Sequence, residues 1–207
     1  MELIAEKIDL KKEYPQYYKS GKKPEIIDVE ESKFLSLLGM GAPEGALFMN
    51  SIEALYAVAF VVKKSYQLRD QDFVVPKLEC FWWVESDLSL DETPRNEWFW
   101  ELLIRMPEFI EEEKVDDSIA EVIRNKNISL ANEVYLKNLT EGKSVQIMHI
   151  GSYEEEKEFI EKILEYVLSE RLENCGRHHE VYISDPTRTP TERLKTILRY
   201  AVKPISS

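Results

Sequence analysis

The sequence predicts an α+β fold: duplicated strand-helix-strand-strand units forming an antiparallel sheet, with two helices on one face and a concave ligand groove on the other. Three observations predict it. Apolar runs with two-residue alternation, bounded by proline and glycine turns, recur along the chain as strands do. Two segments switch to three- and four-residue apolar spacing, the period of an amphipathic helix. The order strand, helix, strand, strand occurs twice, in pseudo-repeats at about 25–106 and 144–203, which marks an internal repeat of supersecondary units. Such a pair predicts a pseudo-twofold axis and helices gathered on one side.

Residues 1–24 read as a charged amino-terminal arm whose aromatics, Tyr14, Tyr17 and Tyr18, pack on the domain that follows, residues 25–207. Tyr14-Pro15 forces an extended or turn conformation. Pro24–Val29 and Lys33–Gly41 are strands, the second ending in a glycine turn. The Gly39-x-Gly41 pair is no nucleotide fingerprint, because Glu occupies the third position, 44. Residues 51–64 are a helix with Ile52, Leu55, Tyr56, Ala59 and Val62 on one stripe, capped by Asn50 or Ser51. Phe73–Val75 and Leu78–Val84 are strands, and Trp98–Arg105, apolar on both faces, is a central one. Asp116–Arg124 is a short bridging helix, and Glu133–Leu136 alternates like a strand.

The pattern then restarts. Val145–Ile150 is a strand ending at Gly151. Ser152 and Glu155 form a capping box for a helix to Arg171, striped by Phe159, Ile160, Ile163, Leu164, Val167 and Leu168. His178–Ser184 and Leu194–Val202 are the closing strands. Along His178–Ser184, side chains alternate, so Glu180 and Tyr182 share a face and His179 and Val181 the other. Overlaying the halves matches Glu79 with Glu180 and Phe81 with Tyr182. An edge strand with one solvated face gives the same alternation, and pairing of either acid with Arg105 or Arg199 is a structural alternative to a ligand role.

Composition narrows the function classes. The 207 residues are 43% hydrophobic and 11% aromatic, enough for a substantial core. No stretch of about 18 residues lacks a charge, so no membrane partner is expected. The amino terminus lacks signal-peptide features, and two cysteines make no disulfide framework, so a cytoplasmic location is the default. A net charge of −12 with no basic patch argues against nucleic acid and favours a cationic or neutral ligand. No metal or other cofactor is expected, because neighbouring histidines on a strand point apart. Nothing in the pattern specifies an oligomeric state.

Several stretches resemble the GyrI-like small-molecule-binding family in its stand-alone form. They are Lys33-Phe34-Leu35 with Gly39-x-Gly41, Ile52–Ala59, Leu78-Glu79 with Trp82-Trp83, Gln146–Gly151, and His178–Glu180 through Ser184-Asp185-Pro186 with Arg188-Thr189. The resemblance spans roughly residues 25 to 203. Cys80 stands where a glycine is usual and Thr187 where an arginine is usual. The resemblance implies an aromatic groove for drug-like ligands, and in one branch a hydrolase-like activity on the cyclopropane of cyclopropylpyrroloindole-type genotoxins, a protective detoxification. The expected ligand-binding residues are Glu79, Phe81, Trp83, Trp100 and Tyr56. The expected catalytic residues are Glu180 as base with Tyr182 or His149 assisting. A non-catalytic multidrug-binding or sequestering protein for small aromatic or cationic ligands, and a gyrase-inhibitor-like interaction protein, are the alternatives.

Overall fold

The computed structural model describes residues 7–205; the first six residues of the expected arm and the last two of the chain lie outside the described residues. The fold is α+β, and its named strand pairings are antiparallel. The chain divides into two compact units. The first comprises the described residues up to Glu13, Ser32–Leu78 and Trp82–Leu139; the second comprises Tyr14–Glu31, Glu79–Phe81 and the chain from Thr140 onward.

In the first unit, after the single-turn helix α1 (Leu10–Glu13) that follows a bridge between Ile8 and Phe73, β2 (Ser32–Met40) lies between β4 (Phe99–Met106) and β5 (Tyr135–Leu139). Helix α3 (Ala46–Gln67) packs on β2 and β4 through Ala54, Leu55, Val58, Ala59 and Val62, all fully buried. Among the described residues α3 alone is long and apolar enough to cross a membrane, and that apolar stripe is the core of this unit. It begins at Ala46 rather than near Ser51, because nothing in Ala46–Asn50 breaks a helix; Ser51 is buried inside it and Gly45 is the cap. Helix α4 (Glu112–Lys126) packs on α3 and ends where Asn127 turns left-handed at φ 55°. Gly39 faces Trp100 so closely that a Cβ there would lie 2.1 Å from the indole, so only glycine fits. Residues 73–75, expected as a strand, make only the isolated bridge at Phe73.

In the second unit, the sheet runs β1 (Glu25–Val29), β6 (Gly142–Ile150), β9 (Lys195–Pro204), β8 (His178–Tyr182), with β7 (Leu172–Asn174) on the far end of β9. β1 was expected in the first repeat, and it pairs with β6 in the second unit instead. Helix α5 (Glu156–Ser169) follows a turn built on the expected Ser152–Glu155 capping box. It buries Ile163 and Val167 against Val145, Ile147, Leu172, Leu198, Tyr200 and Val202. The opposite face of this unit is covered by the single-turn helix α2 (Pro15–Tyr18), whose Tyr17 and Tyr18 are buried as expected for the arm. Strand β3 (Leu78–Trp83) gives its ends to the first unit and Glu79–Phe81 to the second. The element order β2-α3-β3-β4 and β6-α5-β8-β9 preserves the repeat read from sequence.

Candidate functional site

Strand β8 delivers chemistry to both faces of the second unit. Its register pairs Glu180 with Leu198 and His179 with Arg199. Leu198 belongs to the core beneath α5, so Glu180, His178 and Tyr182 emerge on the α5 side and His179 on the other. Glu79 lies with His179, its Oε2 3.1 Å from His179 Nε2. The two acids expected to floor one groove on the helix-free face therefore leave the sheet on opposite sides. Glu79 on β3 meets His179 on the neighbouring β8, and alternation along β8 turns Glu180 the other way.

On the α5 side, three ionisable groups meet. His178 Nε2 donates to Glu180 Oε1 at 3.0 Å. Glu156, in the first turn of α5, hydrogen-bonds to Glu180 as well. One donor atom from each of the three lies within 4.8 Å of the others, and all three residues are buried. The set is compact enough for a cation, but two carboxyl groups hydrogen-bonded to each other hold a proton between them. Burial first, then the Glu180 charge and hydrogen bond, push the Glu156 carboxyl well above its ordinary value. The cluster sits just under the surface: Glu180 is 8% exposed and Tyr153, next to it, 42%. Burial, with the charges of Glu180, Glu156 and Asp185, pushes the Tyr153 phenol up to about 12, so it stays a neutral donor. Tyr153 meets Tyr182 edge to face at 5.9 Å, and His178 leans on Tyr200 at 5.1 Å.

His149 shares this face of the sheet but serves the backbone. Its Nε2 donates to the Ser152 carbonyl at 2.8 Å and its ring packs on Phe159 at 4.7 Å, holding the turn that presents Tyr153.

The opposite face carries a closed polar network. Tyr17 donates its phenol to Glu79. His179 bridges Glu79 and Glu141, the latter at 2.9 Å from Nδ1. Arg199 reaches Gln146, Glu141 and the Tyr17 carbonyl, with its guanidinium 4.2 Å over the Tyr17 ring. Burial lowers the His179 pKa, but the charge and hydrogen bond of Glu141 and the bond to Glu79 outweigh it, and the imidazole ends at about 9. With both nitrogens donating, it is the cation that two carboxylates require. Phe81 lies against His179 at 4.2 Å on the same side. Glu79 and Phe81 thus serve buried packing of the arm rather than an open groove.

The remaining expected ligand residues belong to the first unit. Trp100 is fully enclosed between Gly39 and Phe48, so it is core and not a ligand wall. Trp83, half-buried, stacks on Phe99 at 5.7 Å, and Tyr56, half-buried, lies against the exposed Phe60 at 6.1 Å.

Sequence reasoning missed Glu156 and Tyr153. The signal for Glu156 was present: it lies seven residues before Ile163 and eleven before Val167, on the inward stripe of α5 where an apolar side chain belongs. Arg199, named above as a possible partner for either acid, meets Glu141 across 58 positions and Tyr17 across 182, separations that leave no local signal.

Residues 22–203 match the GyrI-like small molecule binding domain. No curated protein matches. A crystal structure of an uncharacterized conserved protein from Listeria innocua is 38% identical with a TM-score of 0.88, covering 95% of this chain and 100% of that one. A hydrolase from Listeria innocua is 36% identical with a TM-score of 0.86, covering 96% and 100%. The C-terminal domain of EcmrR, 12% identical with a TM-score of 0.57 and covering 88% and 98%, shares the fold. With its family match running through both units, the chain belongs to the GyrI-like family of small-molecule-binding domains.

Proposed function

We propose that this protein is a hydrolase that adds water to an electrophilic aromatic small molecule, the cyclopropane fused to a dienone in cyclopropylpyrroloindole-type compounds being the substrate class. The observation that carries it is Glu180: a nearly buried carboxylate, held by His178 and Glu156, beneath the edge-to-face tyrosines 153 and 182. Similarity to a hydrolase at 36% identity supports the reaction type.

In this reading a water oxygen attacks the ring methylene. The new C–O bond forms as the C–C bond to the spiro carbon breaks, and that electron pair enters the dienone to leave a phenolate. Glu180 takes the water proton as general base. Tyr153, neutral well past physiological pH, or Tyr182 donates a hydrogen bond to the oxygen that gains charge. The phenolate is then protonated, so substrate and one water give one ring-opened alcohol. Planar ring faces of the ligand meet the tyrosine pair, where aromatic contacts contribute about 0.5–1.5 kcal/mol each.

Mass spectrometry of a cyclopropanoid compound after incubation should show a product heavier by one water. Glu180→Gln keeps the shape and the hydrogen-bond acceptor but cannot take a proton. It should lower kcat by about 10²–10⁴-fold while the ligand Kd stays within a few-fold. Full turnover by Glu180→Gln removes Glu180 from the chemistry. Tight binding with no product from the wild type leaves a sequestering protein.

A further inference from the structure

We propose that Glu156 is a positioning residue for Glu180, acting as a carboxylic acid that donates a hydrogen bond to the Glu180 carboxylate and holds it in the orientation that meets water. This rests on the assignment of Glu180 as base.

Two buried acids are in contact here. Glu156 is 6% exposed and Glu180 8%, and a carboxyl oxygen of each lies within 4.8 Å of the other, in hydrogen-bonding contact. Two carboxylates at that separation in a low-dielectric setting repel strongly, so the pair retains one proton. A hydrogen bond between carboxyl groups needs that proton in any case. The proton resides on Glu156, because Glu180 already accepts from His178 and is thereby held in its ionised form. Glu156 Oε1 makes no hydrogen bond, so its bond to Glu180 runs through the other oxygen. Glu180 is thus gripped from two directions by donors on different elements, His178 from its own strand and Glu156 from α5. These two bonds fix a side chain that has three rotatable bonds.

The groups facing this pair are His178 and Tyr182 on β8, Tyr153 in the turn before α5, Tyr200 on β9 and the charge of Asp185. When Glu156 loses its proton, it repels Glu180 and the grip opens. Activity should then fall on the alkaline side, and that limb belongs to Glu156.

The test compares Glu156→Gln with Glu156→Ala. The amide of Glu156→Gln keeps a donor at every pH, so kcat should stay within about threefold of wild type and the alkaline limb should disappear. Glu156→Ala should lose kcat by about 10–100-fold with KM little changed, consistent with misplacement of a catalytic group. Infrared difference spectroscopy gives a readout independent of turnover: wild type should show a protonated carboxyl band at neutral pH that Glu156→Gln lacks. The proposal is overturned if the two variants are equally impaired with the wild-type pH profile. It is also overturned if no protonated carboxyl is seen, or if a chelator abolishes activity and a divalent cation restores it. If Glu180→Gln turns over normally while the carboxyl band is present in wild type and lost in Glu156→Gln, the role of Glu180 as base fails and the shared proton stands.

Discussion

A single hydroxyl separates two states of the arm network. Tyr17 donates to Glu79, a fully buried carboxylate whose other oxygen has no hydrogen bond. Removing that donor leaves the charge with His179 alone, and an under-satisfied buried charge costs about 1–3 kcal/mol. Tyr17→Phe should therefore lower Tm by several degrees with little change in ring packing, as measured by thermal unfolding at neutral pH. An unchanged Tm would mean that water replaces the phenol. At this scale the sequence was legible only where the information is local. Alternation along one strand put Glu180 and Tyr182 on one face, as they are. It does not say which side chains meet across strands: overlaying the repeats matches Glu79 with Glu180, yet Glu79 meets His179. Likewise, the adjacent His178 and His179 point apart, whereas His178 and Glu180, two apart, point together.

Elements were read well where their punctuation is chemical. Gly151 follows β6 with φ 143° and Gly41 follows β2 with φ 131°, conformations that glycine alone adopts without strain, and both had marked strand ends. Strand β7 escaped because it is three residues long and directly follows a helix, and β1 was assigned to the wrong repeat because pairing partners are not written in a strand's own residues. The capping box is the element feature that reaches the site. Ser152 and Glu155 cap the turn that carries Tyr153 and opens onto Glu156, and His149 clamps the same turn through the Ser152 carbonyl. Ser152→Ala removes a side-chain cap, which costs about 1 kcal/mol. It should also fray the start of α5, so that amide hydrogen exchange rises over residues 153–158 while α3 is unaffected. Uniform exchange across both helices would show that the cap stabilises the whole fold and not the turn.

At the scale of the whole chain, ionisation sets where stability peaks. Three buried groups of the second unit act in different directions. Glu141 has its carboxyl held below 4.5: burial opposes this, but the charge and hydrogen bond of His179, with Arg199, prevail. Its contribution is present above the unfolded value and lost as pH falls through the folded one. His179, at about 9 against 6.5 unfolded, contributes fully below 6.5 and loses that contribution as pH rises through 9. Glu156, raised above 4.5 by burial and by Glu180, favours the folded state while protonated and works against it as pH climbs and the buried proton is drawn off. Two of the three therefore weaken the fold on the alkaline side, and a net charge of −12 adds self-repulsion there. Thermal melts across a pH series should show a maximum on the weakly acidic side of neutrality, with Tm falling steadily from about pH 6.5 to 9. His179→Gln keeps hydrogen-bonding capacity but removes the cation, so it should flatten much of that alkaline slope and lower Tm most at acid pH. A wild-type profile that is level over this range would mean that the imidazole is not the charge balancing Glu79 and Glu141, and that Arg199 alone neutralises the arm network.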